Sequence, residues 1–250
     1  MLRVIAKLDV KPPFVVKPVH FEGLRKIGEP GKVAEAYYLQ GADEIIYIDI
    51  VASLYQREIL YNYIRAVAEK VFVPLGVGGG VKSLDDFSRL FHSGADKVVI
   101  NTHALQADPN IVDEAARIFG AQSVVINIEA KRKGQGWECY SDCGRIKSGR
   151  SVTDWAKEAQ DRGAGEIIIQ SVDSDGRMRG FDIDLVGGLT SSLKIPVVAA
   201  SGAGSMRHVL EMVKETRPAA VAIASLLHYG VCTIKELKNF LKENDVEVTE

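Results

Sequence analysis

The sequence predicts an α/β protein that folds as a (β/α)8 TIM barrel built from two similar (β/α)4 halves. Three observations predict it: eight short apolar runs, helical patterns between them, and an internal repeat. The chain has 250 residues and is 46% hydrophobic, which is enough for one large core. We therefore expect one domain over residues 1–250, with half-barrels at approximately 1–120 and 121–245.

The eight runs are rich in β-branched residues, and each is nearly all apolar over four or more residues. This composition is typical of a strand that is buried on both faces of a parallel sheet. The runs are RVIAKLDV (3–10), EIIYIDI (44–50), VPLGV (73–77), KVVIN (97–101), SVVINIEA (123–130), EIIIQS (166–171), PVVAA (196–200) and AVAIAS (220–225).

Helical patterns lie between these runs. Residues 57–71 and 151–163 repeat apolar residues at helical spacing, and Thr233 with Glu236 predicts a capping box before IKELKNFLKEN. Eight strands that alternate with helices favour a closed barrel. The alternative is an open doubly wound sheet, which usually carries a glycine-rich phosphate loop after its first strand. Here the first strand is followed by KPPFVVKP instead.

The internal repeat favours the barrel further. VPLGVGGGV (73–81) matches IPVVAASGA (195–203), and GADEIIYIDIVAS (41–53) matches GAGEIIIQSVDSD (163–175), both at an offset of 122 residues. SGADKVVINT (93–102) matches TRPAAVAIAS (216–225) within about a residue. The predicted strands two, three and four are therefore similar in sequence to strands six, seven and eight, as expected of two four-stranded halves.

Composition and charge exclude several classes of function. The net charge is −2, no long run of like charge occurs, and no apolar segment approaches the roughly 18 residues that span a bilayer. We expect neither a nucleic-acid nor a membrane partner. Cys139, Cys143 and Cys232 are a sparse, odd set without a second pair of ligands nearby, so we expect free thiols, no metal site and a cytoplasmic location.

Two small-residue loops follow strands three and seven, at the end of a barrel where active sites lie. They are Gly78-Gly79-Gly80 and 201–204, and polar strand ends at Asn101-Thr102 and Ala224-Ser225 lie beside them. Small residues let backbone N–H groups approach an anion closely. The loops predict two phosphate sites on opposite sides of the barrel mouth, and hence an elongated bisphosphate substrate. The alternative is that the glycines only form tight turns.

Two carboxylates are expected between the phosphate sites. Asp9 ends strand one and Glu129 ends strand five, so they face each other across the mouth and suit general acid and general base roles. The alternative is that each caps a loop or pairs with a lysine such as Lys17 or Lys131. Asp49 and Asp175 are further strand-end carboxylates, expected to support loops or to bind substrate hydroxyls.

A second charged set lies at the beginnings of the strands. It consists of Arg3, Glu44, Lys97 and Glu166, from strands one, two, four and six. Charges at this end of a barrel usually form a salt-bridged plug. The alternative is a gate through which a small molecule enters from a partner subunit.

Together these residues resemble the cyclase subunit (HisF) of imidazole glycerol phosphate synthase, over nearly the whole chain. The resemblance rests on an ordered set of motifs: LDV (8–10), VVKPVHFEGLR (15–25), DEIIYIDIVAS (43–53), VGGGV (77–81), GADKVVINTHAL (94–105), GAGEIII (163–169), DSDGRMRGFD (173–182) and ELKNFLKEN (236–244).

The resemblance implies a reaction and a partner. The family enzyme is a two-fold repeated (β/α)8 barrel that takes ammonia from a separate glutaminase subunit docked on its bottom face. It joins the ammonia to a ribulosyl formimino aminoimidazole carboxamide nucleotide, a long bisphosphate. The products are imidazole glycerol phosphate and aminoimidazole carboxamide ribotide, in histidine biosynthesis.

The resemblance also implies roles for single residues. Asp9 and Glu129 correspond to the catalytic carboxylates, and Lys17 lies in a loop that closes over the substrate. The ammonia gate corresponds to Arg3, Glu44, Lys97 and Glu166. The phosphate ligands correspond to Gly80, Asn101 and Thr102 for one end, and Gly176, Gly202, Ala224 and Ser225 for the other. No metal or organic cofactor is implied.

The sequence departs from the family at several positions in and around the predicted site. The family has aspartate at Glu129, threonine at Gln170, cysteine at Lys7 and glycine at Ser201, and Pro12-Pro13 and Pro18 stand in the closing loop. Two alternatives therefore stay open. One is a HisF-like paralog that relays glutamine-derived ammonia to a sugar amidotransferase in surface-polysaccharide synthesis. The other is the single-chain isomerase of histidine synthesis, which has the same repeat but needs no partner.

An insertion after strand five, KRKGQGWECYSDCGR (131–145), fits the cyclase better than the isomerase. It predicts a hairpin that turns at Ser141-Asp142.

Overall fold

A computed structural model describes residues 1–19, 22–52 and 61–249 of the chain. Parts of three sequence predictions lie outside these ranges, namely the helical pattern at 57–60, two positions of the motif at 15–25 and the last position of the motif at 43–53. The strands of the described residues are β1 (Arg3–Lys11), β2 (Phe14–Val19), β3 (Glu22–Gly28), β4 (Glu44–Asp49), β5 (Leu75–Gly78), β6 (Lys97–Ile100), β7 (Val124–Lys133), β8 (Gly136–Ser141), β9 (Ile146–Ser151), β10 (Glu166–Ser171), β11 (Val197–Ala200) and β12 (Ala220–Ile223).

Eight of these strands form a closed parallel barrel in the order β1, β4, β5, β6, β7, β10, β11 and β12. The ring closes where β12 pairs in parallel with β1, with Arg3 opposite Ala220 and Ala6 opposite Ile223. All eight predicted strands are present, and their ends lie within about three residues of the predicted ones. The (β/α)8 barrel predicted from the sequence is therefore confirmed, while the two-fold repeat stays a prediction.

Helices alternate with the barrel strands, as the apolar spacing predicts. The helices of the described residues are α1 (Pro30–Leu39), α2 (Tyr61–Ala68), α3 (Leu84–His92), α4 (Thr102–Gln106), α5 (Asn110–Phe119), α6 (Val152–Asp161), α7 (Ile183–Ser192), α8 (Met206–Thr216), α9 (Ser225–His228) and α10 (Ile234–Glu243). The capping box of Thr233 and Glu236 at the start of α10 is confirmed.

The barrel strands alternate between two buried surfaces. On β1, Val4, Ala6 and Leu8 belong to the layer between strands and helices, while Ile5 belongs to a separate cluster inside the barrel. This inner cluster consists of Ile5, Ile46, Val99, Val125, Ile168, Val198, Ala200, Ala220 and Ala222. Burial on both faces explains why the barrel strands are continuous apolar runs. The inner cluster also makes the barrel interior apolar between its two ends.

Two antiparallel extensions add to the carboxyl ends of barrel strands. A hairpin follows strand five, as predicted, because β7, β8 and β9 are antiparallel neighbours. Its turns lie at residues 134–135 and 142–145 rather than at the predicted Ser141-Asp142, because Ser141 is still the last residue of β8. The segment after β1, expected as a loop, instead forms the pair β2 and β3, which packs on β1. Among the described residues, no helix is long and apolar enough to cross a bilayer.

Candidate active site

A cavity of about 310 Å³ opens at the carboxyl ends of the barrel strands. Its volume lies at the lower end of the range for small-molecule sites. The predicted residues that line it are Asp9, Asp49, Glu129, Gly79, Gly80, Asn101 and Thr102. The structure therefore brings both predicted catalytic carboxylates and the first group of predicted phosphate ligands to one cavity.

Asp9 is held in the wall of this cavity by two lysines. It lies near the end of β1 and is 3% exposed. Its Oδ1 accepts a hydrogen bond from Lys7 Nζ, and its Oδ2 lies 3.8 Å from Lys17 Nζ. Burial opposes ionisation of Asp9, but attraction to Lys7 and Lys17 outweighs it, so the pKa of Asp9 lies below its usual value. Asp9 is consequently a carboxylate at neutral pH.

The environment of Glu129 shifts its pKa in the opposite direction. It lies on β7 and is 5% exposed, and its Oε2 accepts a hydrogen bond of 2.8 Å from the Gly144 amide. Burial raises the pKa of Glu129 to about 7, against the opposing effects of the Gly144 amide and Lys7. Two carboxyl groups with pKa values moved in opposite directions are the usual arrangement of an acid and a base in one site.

The loop beside the first predicted phosphate site requires a small residue. Gly79 has a φ of +110°, and a Cβ at that position would lie 2.4 Å from the Asp49 carbonyl oxygen. Next to this loop, Asn101 Oδ1 is buried and has no hydrogen-bond partner within the part of the chain that the structure describes. Because buried polar atoms normally have a partner, this acceptor is suited to a hydroxyl or N–H donor of a ligand.

The second group of predicted phosphate ligands lies around a separate, smaller cavity. Its predicted residues are Lys17, Asp175, Gly176, Gly202, Ala224 and Ser225. The cavity measures about 20 Å³, and a volume of this size admits roughly one water molecule. The carbonyl oxygen of Gly180 would lie 2.1 Å from a Cβ at Gly202, so the two loops are in close contact. This subsite is therefore closed in the structure.

Lys17 closes it. The residue was expected in a loop, but it lies on β2, is 3% exposed, and its Nζ lies 3.1 Å from Asp175 Oδ1. Ser201 Oγ donates to the same carboxylate oxygen at 3.4 Å. Ser201 also has a φ of +71°, which favours glycine. Asp175 is thus paired with protein groups, which fits the predicted support of loops rather than the predicted binding of a substrate hydroxyl.

The charged set at the opposite end of the barrel forms a ring. Arg3 Nη1 lies 2.9 Å from Glu44 Oε2, and Lys97 Nζ lies 2.7 Å from Glu44 and 2.9 Å from Glu166. Arg3 also pairs with Glu166 and completes the ring. The two cations alternate with two buried carboxylates, so the ring closes the amino-terminal end of the barrel.

Comparison with known proteins identifies the family. Residues 3–233 match the model of the family described as histidine biosynthesis protein. The chain is 44% identical to imidazole glycerol phosphate synthase subunit HisF of Thermococcus onnurineus, over 98% of this chain and 97% of that protein. It is also 44% identical to the same subunit of Campylobacter concisus, with the same coverage, and 49% identical to that of Legionella pneumophila, over 82% of this chain and 97% of that protein.

The chain belongs to the HisF family. A match at this identity over nearly the full length of the relatives supports the HisF interpretation of the sequence. The isomerase alternative gains no support from these relatives, since each carries the name of a HisF subunit.

Several cavity residues of this HisF-family chain were not predicted as site residues. Lys7 lines both cavities, and Gln170 Nε2 donates a hydrogen bond of 2.7 Å to Asn127 Oδ1 in the floor of the site. Asp142 and Cys143, in the turn between β8 and β9, also line the larger cavity. Lys7 had a sequence signal, because it is a charged residue inside an apolar strand. The approach of the turn to the barrel mouth had no sequence signal, because it depends on the length of the hairpin.

Proposed function

We propose that this chain is the ammonia-dependent cyclase subunit of imidazole glycerol phosphate synthase in histidine biosynthesis. It converts the ribulosyl formimino aminoimidazole carboxamide nucleotide and ammonia to imidazole glycerol phosphate and aminoimidazole carboxamide ribotide. The observation that carries the proposal is the pair Asp9 and Glu129 in one cavity, with the pKa of Asp9 lowered and that of Glu129 raised to about 7. The HisF relatives support the same activity.

The carboxyl pair fits the first chemical step. A ribulosyl group carries a ketone, and addition of ammonia forms a carbon–nitrogen bond while the carbonyl electron pair moves to oxygen. The nitrogen then loses a proton and the oxygen gains one, after which water leaves and an imine remains. Asp9, as a carboxylate, accepts the proton from nitrogen, and protonated Glu129 supplies the proton to oxygen.

The two cavities fit the two ends of a bisphosphate. One phosphate binds in the larger cavity, at Gly80, Asn101 and Thr102. The other binds at the smaller cavity, where Gly202 and Ser225 contribute. Because that cavity is closed by Lys17 and Asp175, binding requires their contact to open, and Lys17 then becomes available to the anion.

The barrel interior fits a route for ammonia. The ring of Arg3, Glu44, Lys97 and Glu166 serves as the gate, and the apolar cluster above it suits a small neutral molecule. Ammonia enters from a HisH-like glutaminase docked on the amino-terminal face. Exposed apolar side chains at that face supply a contact surface: Phe72 is 78% exposed and Leu39 is 75% exposed, and Phe72 packs against Tyr38.

Phe72→Asp is expected to weaken binding of the HisH-like glutaminase from the same genome at least tenfold. An exposed aromatic residue at the centre of a contact surface typically contributes more than about 1.4 kcal/mol to binding. Isothermal titration calorimetry measures the effect. Ile146→Asp is the matched control, because Ile146 is also apolar and 47% exposed but lies on β9 at the opposite face. Equal affinity of Phe72→Asp and the unmodified chain would contradict this placement of the partner.

The proposed function is tested by turnover of the ribulosyl formimino nucleotide with ammonium and the purified chain. Product formation is followed by chromatography, with Glu129→Asp measured beside the unmodified chain. We expect both proteins to form imidazole glycerol phosphate. An inactive unmodified chain and an active Glu129→Asp variant would mean that the site binds the substrate without performing the reaction.

A second candidate function is favoured by the closed smaller cavity. A paralog that relays glutamine-derived ammonia to a sugar amidotransferase in surface-polysaccharide synthesis needs no bisphosphate site, and about 20 Å³ cannot hold a phosphate. In this role the chain binds the glutaminase and conducts ammonia. Glutaminase binding without nucleotide turnover, in both the unmodified chain and Glu129→Asp, would favour it over the cyclase.

A further inference from the structure

Lys7 is a buried cation at the centre of the site. It lies on β1, is 7% exposed, and lines both the larger and the smaller cavity. Its neighbours on the same face of β1 are Ile5 on the amino-terminal side and Asp9 on the carboxyl-terminal side. A lysine is rarely buried without a partner, because the desolvation of its charge is costly. The group that pairs with Lys7 therefore indicates the role of its positive charge.

The partner is Asp9. Lys7 Nζ hydrogen-bonds Asp9 Oδ1, whereas Lys17 Nζ lies 3.8 Å from Asp9 and closer, at 3.1 Å, to Asp175. Lys17 also lies on the β2 strand that closes the smaller cavity, and it has to leave Asp175 when a substrate phosphate enters. Lys7 lies within the barrel strand itself, so its contact with Asp9 does not depend on that movement.

The other titratable groups that face Asp9 do not replace Lys7. Within the described residues, the groups that interact electrostatically with Asp9 or with its partner Lys7 are Lys17, Glu129, Cys143, Asp175 and His228. Glu129 and Asp175 are carboxyl groups, as are Asp49 and Asp142, which line the same cavity. Burial lowers the pKa of His228 to about 4, so this imidazole is neutral at pH 7. Burial raises the pKa of the Cys143 thiol to about 12, so it too carries no charge.

Glu129 lacks such a partner. Within residues 1–19, 22–52 and 61–249, no salt bridge reaches Glu129, and its Oε2 accepts from the neutral Gly144 amide. The two carboxyl groups of the site thus differ in one respect, since a lysine contacts one of them directly and the other has a neutral donor.

We propose that Lys7 is a positioning residue of the cyclase site, which holds Asp9 ionised as the base and leaves Glu129 as the proton donor. This inference rests on the proposed function for its catalytic meaning, but the charge assignment itself concerns the free protein. The attraction of Lys7 for Asp9 lowers the pKa of Asp9 despite burial, and the pKa of Lys7 is raised in return.

Carbon-13 NMR of the side-chain carboxyl groups tests the assignment directly. In the unmodified protein, Asp9 is expected to titrate below its ordinary value of 3.8, and Glu129 near pH 7. Lys7→Met is expected to raise the Asp9 midpoint by at least about one pH unit, because a contacting charge typically shifts a buried carboxylate by one to three units. Lys238→Met is the matched control: Lys238 forms a similarly buried pair with Asp43, at 2.6 Å, outside both cavities. It is expected to leave Asp9 unchanged.

Two results would overturn the proposal. One is an Asp9 midpoint at or above its ordinary value of 3.8 in the unmodified protein, which needs no variant and so holds even if Lys7→Met does not fold. The other is an unchanged Asp9 midpoint in folded Lys7→Met. Failure of the proposed function gives a different pattern, namely no nucleotide turnover by the unmodified chain together with the expected Asp9 and Glu129 midpoints.

Discussion

Asp9→Asn is expected to lower the ammonia-dependent kcat by about 100- to 10,000-fold, the range for loss of a general acid or base. An amide of the same shape retains the packing but cannot accept the proton that nitrogen releases. KM is expected to change little, because the predicted phosphate ligands are other residues. Steady-state turnover of the ribulosyl formimino nucleotide at saturating ammonium measures both constants.

Loss of stability has to be separated from loss of chemistry in this variant. Asp9→Asn leaves Lys7 without the carboxylate it contacts, and an unpaired buried charge typically destabilises a protein by about 3–5 kcal/mol. The double variant Lys7→Met, Asp9→Asn removes that charge and is expected to regain most of the free energy of unfolding while staying inactive. Recovery of turnover in the double variant would contradict a direct role for Asp9.

Asp173→Asn is the matched control for the chemical change. Asp173 lies in the loop after β10, at the same end of the barrel, and its carboxylate accepts a hydrogen bond from the Arg132 amide. It lines neither cavity. Turnover within about twofold of the unmodified chain is expected, and a loss as large as that of Asp9→Asn would show that the effect is not specific.

Glu129→Gln is expected to stabilise the folded chain by about 3 kcal/mol at pH 8 and by close to zero at pH 4. Burial raises the pKa of Glu129 from 4.5 to about 7. The protonated form is therefore favoured by folding, and this contribution is complete below pH 4.5 and lost as the pH rises to about 7. Above pH 7 the unmodified chain holds a buried carboxylate, which glutamine replaces with a neutral group.

Urea unfolding of both proteins between pH 4 and pH 8 measures this difference in free energy. The carboxamide oxygen of the Glu129→Gln variant can still accept the Gly144 amide hydrogen bond, so the comparison isolates the charge. Glu114→Gln makes the same chemical change on the exposed surface of α5, and its difference from the unmodified chain is expected to stay flat across the pH range. A flat difference for Glu129→Gln as well would mean that Glu129 ionises normally.

The barrel could be predicted from the sequence because its signals are local. Strands buried on both faces need apolar runs such as EIIIQS, which forms β10 over the predicted residues 166–171. The capping box at Thr233 and Glu236 is likewise a short-range pattern, and the structure contains it. The side on which Asp9 and Glu129 lie follows from their positions at strand ends, because active sites gather at that end of a barrel.

The remaining features depend on contacts that sequence order does not reveal. The segment around Lys17 forms β2 because it pairs with β1, and its contact with Asp175 spans 158 residues of the chain. Burial raises the pKa of Glu129, and although the sequence predicts a hairpin turn in this segment, it does not show that Gly144 approaches Glu129. Lys7 stands where the family has cysteine, which the sequence shows, but its contact with Asp9 is visible only in the structure.

The acid and base roles of Glu129 and Asp9 are tested most directly by the pH dependence of ammonia-dependent kcat/KM, normalised to the concentration of free ammonia. The normalised rate is expected to fall above about pH 7, because Glu129 loses the proton that it donates, and to remain high down to about pH 5, because Asp9 stays ionised. A normalised rate that is constant from pH 6 to pH 9 would contradict these roles, and the absence of turnover at every pH would contradict the cyclase activity itself.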